Sequence, residues 1–245
     1  MKKTNNSEKE WMVFDIDGVL IDVSNSFDLA VKSTLEKLLL KEGKYVNVEK
    51  KRIRGLRKRG SFGDDFKLTE ALYLAINNEG EDWPCENLPL GEDISWFRKR
   101  FPGKVETSEI ETIFNNYYLG RGEGEGFWKK EKALIKPEKL KKLEKDYRVG
   151  TVTGRNKKEL ELAESILRYE FSNFVTRDII LKPDYRALDL LVGSDSGIYF
   201  GDAAVDEKLV RNHGKHGGNL TFMMIGRDIK NVNKGIKRVR EGRKI

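Results

Sequence analysis

The chain has 245 residues, with 47 Lys and Arg against 40 Asp and Glu and a net charge of +7. That length suits one large domain or two modest ones with a sizeable buried core, and a lone cysteine, Cys85, excludes an internal disulfide and fits a reducing compartment. No run approaches the roughly 18 apolar residues of a membrane helix, and MKKTNNSEKE at the N-terminus has no apolar segment behind it, so a cytoplasmic protein without a signal peptide is expected.

Trp11 to Leu20, WMVFDIDGVL, is an apolar run that ends in Asp15, Asp17 and Gly18. Val13, Phe14 and Ile16 predict a short strand of the kind buried inside a parallel sheet. Two residues apart on an extended chain, Asp15 and Asp17 start from the same face. Carboxylates that close repel each other and are costly to leave unpaired. An all-oxygen site of this kind suits Mg²⁺, which takes carboxylates, water and phosphate oxygens. Taken alone, the pair also reads as turn residues after a strand, with Gly18 supplying a positive φ. A calcium loop fits worse, since its glycine belongs at the sixth position and a glutamate at the twelfth.

After Leu20 the period becomes helical. Phe27, Ala30, Val31, Leu35, Leu38 and Leu39 predict an amphipathic helix over Ser26 to Glu42, capped by Ser26 or Ser24. The next stretch, KKRIRGLRKRGSFGDD, is basic and punctuated by glycine, and its run Arg52, Arg54, Arg57, Lys58 and Arg59 reads most simply as a solvated face. Helices are expected over Lys67 to Asn77 and over Thr107 to Leu119, the latter with Ile110, Ile113, Phe114 and Tyr117 on one stripe. Asp82 to Asp93 and the glycine-rich GRGEGEG of 120–126 read as loops. From Pro137 strands and helices alternate. Helices are expected at Pro137 to Lys145, Asn156 to Tyr169, Pro183 to Val192 and Ala204 to Asn212. Strands are expected at Tyr147 to Val152, Phe174 to Thr176, Ile179 to Leu181, Gly197 to Phe200 and Leu220 to Ile225. The basic C-terminal segment Lys230 to Lys244 reads as a solvated or frayed tail. Such alternation implies an α/β fold with a parallel, doubly wound sheet, and right-handed crossovers place every strand's C-terminal end on one edge.

Polar side chains converge on that edge. The first strand delivers Asp15 and Asp17, the Tyr147 strand Thr153, and the Gly197 strand Asp202, with Asp206 one helical turn on. Lys182 follows another apolar run. Ligands of open α/β sheets bind at this edge.

FDIDGVL at 14–20, TVTGR at 151–155, LKPDY at 181–185 and YFGDAAVDE at 199–207 together resemble, in order and spacing, the motifs of the haloacid dehalogenase-like phosphohydrolases. The resemblance covers about half the chain, and it is the set rather than any single motif that is specific. It implies a Rossmann-like, three-layer α/β catalytic core of residues 1–22 and 133–245 and an inserted α-helical cap domain of residues 23–132, like that of the phosphoglycolate phosphatase branch. It implies that Asp15 is the nucleophile and forms an aspartyl-phosphate. Asp17 would protonate the leaving alcohol and then take a proton from the hydrolytic water. Thr153 and the Gly154 amide would hold the phosphoryl group, and Lys182 would pair with Asp15 and with phosphate. Asp15, Asp202, Asp206 and the main chain of Asp17 would hold Mg²⁺. Dehalogenases and phosphonate-cleaving members lack the acid at the place of Asp17, and P-type ATPases have Lys-Thr-Gly after the nucleophile where this chain has Ile-Asp-Gly.

The expected activity is therefore a Mg²⁺-dependent phosphatase acting on a small phosphorylated metabolite. The alternatives are a sugar-phosphate phosphomutase, which keeps the second aspartate, and a nucleic-acid-binding protein using the basic surface. The latter is disfavoured, because no basic stripe is interleaved with aromatics. Gly55 to Ser61 lacks the lysine and preceding strand of a phosphate loop. His213 and His216 read as loop residues rather than metal ligands, and Trp83, Trp96, Phe97 and Trp128 as core. One arginine of the group Arg52, Arg54, Arg57, Lys58 and Arg59 is a candidate for a second anionic group on the substrate.

Overall fold

The computed structural model describes residues 9–62, 64–121 and 124–242. The start of the basic N-terminus, Gly63, Gly122 and Glu123 of the glycine-rich loop, and Arg243 and Lys244 of the expected tail lie outside the described residues.

In chain order the elements begin with β1 (Trp11–Phe14) and β2 (Ile21–Asp22), followed by five helices: α1 (Phe27–Lys41), α2 (Lys50–Arg59), α3 (Asp65–Glu79), α4 (Ile94–Arg100) and α5 (Thr107–Leu119). Next come β3 (Lys132–Ala133), α6 (Pro137–Leu143), β4 (Arg148–Val152), α7 (Lys157–Leu167), β5 (Phe174–Val175) and α8 (Arg186–Val192). The chain continues through β6 (Ser196–Gly201), α9 (Ala204–Lys215), β7 (Asn219–Met224) and α10 (Val232–Arg240).

Two compact units result. One comprises Met1–Asp22, Lys132–Asp202 and Asp206–Ile245; the other comprises Val23–Glu131 and Ala203–Val205. The first is built on a five-stranded sheet in the order β5-β4-β1-β6-β7, parallel at every pairing. All four residues of β1, at the centre, are buried, as a strand covered on both faces requires. On one face Trp11, Val13, Val152 and Tyr199 pack with Ala187, Leu188 and Val192 of α8 and Leu209 and Val210 of α9. On the other, Phe14 stacks on Phe200 at 5.1 Å between ring centroids, and α10 comes so close at Gly235 that a Cβ there would meet Phe200 and Ile229. The sheet is thus a Rossmann-like α/β core with helices on both faces. β2 and β3 form a separate antiparallel pair.

The second unit is helical. α1 buries Phe27, Ala30, Val31, Leu35, Leu38 and Leu39 along one stripe, and Phe27 packs against Tyr118 at 4.4 Å and Phe114 at 5.7 Å. Trp83, Trp96, Phe97 and Phe101 form an aromatic cluster with centroid separations of 5.1–6.3 Å, within the range at which tilted rings attract.

Several local expectations are corrected. Ser26 occupies the start of α1, but its hydroxyl donates back to the Val23 carbonyl at 3.2 Å instead of accepting from the helix. The basic stretch is not a bare solvated face: it forms α2, anchored by buried Ile53 and Leu56, with Arg54 and Arg57 both bonded to buried Asp28. α4 went unpredicted, since seven residues hold too little period to detect. On α5 the inward tyrosine is Tyr118, not Tyr117. Ile179 to Leu181 is turn and loop, not strand. The C-terminal segment is the helix α10, which buries Val232, Gly235 and Ile236. His213 is a buried residue of α9 rather than a loop residue. Among the described residues no helix is long and apolar enough to cross a membrane.

Candidate active site

The sheet's register explains why distant residues meet. Phe14 pairs with Thr151 of β4 on one side and with Phe200 of β6 on the other. Asp15, Thr153 and Asp202 therefore leave the same edge within two residues of that level. The Asp15 amide donates to the Phe200 carbonyl at 2.8 Å, extending the ladder one step. Beyond it the chain folds back at Gly18, whose amide donates to the Ile21 carbonyl at 2.8 Å. Gly18 has φ +75°, and a Cβ there would run into the Asp202 carboxylate. Only glycine combines that conformation with so close an approach.

Lys182 is the electrostatic hinge of this edge. Its ammonium donates to Asp15 Oδ1 at 2.9 Å and to Asp206 Oδ1 at 2.7 Å. The lysine is 4% exposed and Asp206 is fully buried. It arrives on the loop after β5, not on a strand end. Tyr199 of β6, also fully buried, brings its hydroxyl 3.1 Å from Asp206 Oδ1 and 3.0 Å from the Val152 carbonyl. The Asp202 amide donates to Asp206 Oδ2 at 3.2 Å.

Carboxylate oxygens of Asp15, Asp202 and Asp206 all lie within 4.8 Å of one another. Asp15 and Asp206 share the Lys182 ammonium, and Asp202 belongs to the same carboxylate cluster. Burial pushes the Asp15 carboxyl well above the usual range; Lys182 pulls it down, but Asp206, Asp17 and Asp202 push it up again. For Lys182 burial acts downward, yet Asp15 and Asp206 outweigh it and hold the ammonium well above its usual value. Burial, then Asp206, likewise raises Tyr199. A cluster of hard oxygen donors of this kind fits a divalent cation.

Thr153 is fully buried. Its amide donates to the Val175 carbonyl at 3.0 Å, and its hydroxyl accepts from the Arg155 amide at 3.2 Å. The Gly154 carbonyl accepts from Arg177 at 3.1 Å. Asp17 is held from this same loop: Arg155 Nε and Nη2 donate to its Oδ1 at 2.9 and 2.7 Å. Asp17 and Asp15 therefore have different partners although they start from one face.

The sequence pointed to Asp15, Asp17, Thr153, Gly154, Lys182, Asp202 and Asp206, and the described structure gathers them at one sheet edge. It adds Arg155 and Tyr199. Arg155 was visible only as the last letter of TVTGR, and its partner lies 138 residues away. Tyr199 carried no signal, because an aromatic in a buried strand is ordinary core.

No family model matches the sequence, and no curated protein matches it. Among solved structures, phosphatase Tt82 from Thermococcus thioreducens is similar at TM-score 0.77 and 42% identity, over 95% of this chain and 99% of that one. A hydrolase from Pseudomonas syringae is similar at TM-score 0.58 and 16% identity, over 95% and 98% of the two chains. A haloacid dehalogenase-like family hydrolase from Streptococcus pneumoniae is similar at TM-score 0.56 and 16% identity, over 94% and 91%. The two likenesses at 16% identity bear on the fold alone.

Proposed function

We propose that this chain, a haloacid dehalogenase-like phosphatase by its likeness to phosphatase Tt82 over nearly its whole length, hydrolyses the phosphate monoester of a small metabolite with Mg²⁺ and an aspartyl-phosphate intermediate. The observation that carries this reading is the Lys182 ammonium shared by Asp15 and Asp206, with Asp202 in the same cluster.

Asp15 attacks phosphorus, and the bond to the leaving alcohol breaks. Asp17 gives that alcohol its proton, then takes one from the water that hydrolyses the aspartyl-phosphate. Lys182 orients Asp15 and meets phosphate charge, while Thr153 and the Gly154 amide donate to the phosphoryl oxygens. Asp15, Asp202 and the main chain of Asp17 would hold Mg²⁺. Asp206, whose oxygens already accept from Lys182, Tyr199 and the Asp202 amide, would support the ion rather than carry it alone. When bound, the ion supplies positive charge that offsets the repulsion between a carboxylate and a phosphate dianion. Residues 23–132 are proposed as a cap that sets substrate selectivity, and the cytoplasm as the working compartment.

The test is phosphate release from an aryl phosphate by the full chain. Activity should vanish with a chelator, return with Mg²⁺ and be lost in Asp15→Asn. Full activity in Asp15→Asn would overturn the mechanism.

A further inference from the structure

Among the described residues, Arg155 is the largest of the fully buried side chains. Burying a guanidinium is costly unless it is paired and hydrogen-bonded, so the way it is spent here is informative. Its Nη1 donates to the Glu159 carbonyl at 3.1 Å, in the first turn of α7. Asn156 and Glu159 lock that turn with reciprocal side-chain to backbone bonds. The Arg155 amide is fixed on Thr153 Oγ1. From this rigid mount the other arm of the fork reaches Asp17, where Nε and Nη2 both end on Oδ1. The Asp17 side chain itself is 27% exposed, so it is reachable from outside while its holder is not.

We propose that Arg155 is a positioning residue for Asp17. Two donors on one oxygen fix the plane of the carboxyl group and assign the atoms: Oδ1 is the anchored oxygen and Oδ2 the one that passes the proton. Because the same residue's amide is bonded to Thr153, the loop sets acid and phosphoryl-binding hydroxyl in one frame. This rests on the phosphatase reading above, since it assigns Asp17 a proton to deliver.

A mispositioned acid harms poor leaving groups most, because a good one departs without protonation. The full-length Arg155→Met variant is therefore compared with the parent on p-nitrophenyl phosphate and phenyl phosphate, in kcat/KM, which covers leaving-group departure. General acid catalysis contributes roughly 10²–10⁴-fold, so the loss on phenyl phosphate should exceed that on p-nitrophenyl phosphate by about tenfold or more. Asp17→Asn should show the same bias. Arg155→Lys, which keeps the charge without the fork, should fall between the parent and Arg155→Met, and serves alone if the methionine variant does not fold. Equal losses on both esters would overturn the inference and leave the phosphatase reading standing. An inactive parent would overturn both.

Discussion

The Lys182 ammonium and Asp15 Oδ1 lie 2.9 Å apart in a setting where both side chains are more than nine-tenths buried. The ammonium is stabilised there by both Asp15 and Asp206, and the Asp15 carboxylate by Lys182. Lys182→Met should therefore do two things at once. It leaves two buried carboxylates without their cation, a change that costs about 3–5 kcal/mol when one partner of a buried pair is removed. It also lets burial push the Asp15 carboxyl further up, toward the neutral form that is no nucleophile. The expected result is a melting temperature lowered by many degrees and kcat reduced by at least ~10²-fold. A variant as stable and active as the parent would remove the lysine from the centre of the site.

Gly18 offers a sharper steric test. At φ +75° a side chain is strained whatever the space, and here a Cβ would meet the Asp202 carboxylate. The strain alone costs of order 1–3 kcal/mol. The displacement matters more, because an ångström at a catalytic group can cost ~10²-fold in rate. Gly18→Ala should fold, lose about that much kcat and need more Mg²⁺ for half-maximal activity. The comparison is Gly43→Ala, which shares φ +75° with nothing near its Cβ. It should pay only the strain, read as a small drop in melting temperature with an unchanged Mg²⁺ requirement.

How much of this was legible follows from what a linear pattern can carry. Asp15, Asp17, Thr153 and Asp202 stand where an apolar run stops, and a stop in a buried strand is visible letter by letter. Lys182 was visible too, but for the wrong local reason, since Ile179 to Leu181 is a turn. An apolar triplet does not distinguish a strand from a loop pressed on the core. The pairings were not legible at all. Arg155 meets Asp17 because the sheet order sets β4 beside β1, and Tyr199 meets Asp206 across the turn that joins β6 to the first turn of α9. α2 and α10 were missed because each buries only two or three residues, and the remaining charged letters swamp the period.

The arginines of α2 lead to a prediction about the helical unit. Asp28 is 2% exposed and takes Arg54 on Oδ2 at 2.6 Å and Arg57 on Oδ1. Arg57 continues to Asp65 Oδ1 at 2.6 Å. The carboxylate ties α1 to α2, and through Arg57 to the first turn of α3. Asp28→Asn should destabilise the protein by about 3 kcal/mol, the low end for a broken buried pair, because Asp65 still satisfies part of Arg57. Urea unfolding measures it. A change under ~1 kcal/mol would class the pair with exposed ones.

His213 should contribute to the pH dependence of stability. Its Nε2 lies 2.9 Å from the Gly193 carbonyl. A carbonyl only accepts, so Nε2 carries the hydrogen. Nδ1 is then bare, and it is buried with no hydrogen-bond partner among the described residues. Burial holds the imidazole below its usual pKa; the Gly193 bond and nearby Asp189 act upward, and His216 downward. The folded chain thus takes up this proton less readily than the unfolded chain, which accepts it near pH 6.5. The unfolded state binds more protons in that window, so stability rises with pH there and falls as pH drops below about 6.5. One group contributes at most about 1.4 kcal/mol per pH unit. His213→Gln keeps a donor for the Gly193 carbonyl and cannot titrate. Its melting temperature should fall less than the parent's between pH 7.5 and 5, and equal falls would show that the acid sensitivity arises elsewhere.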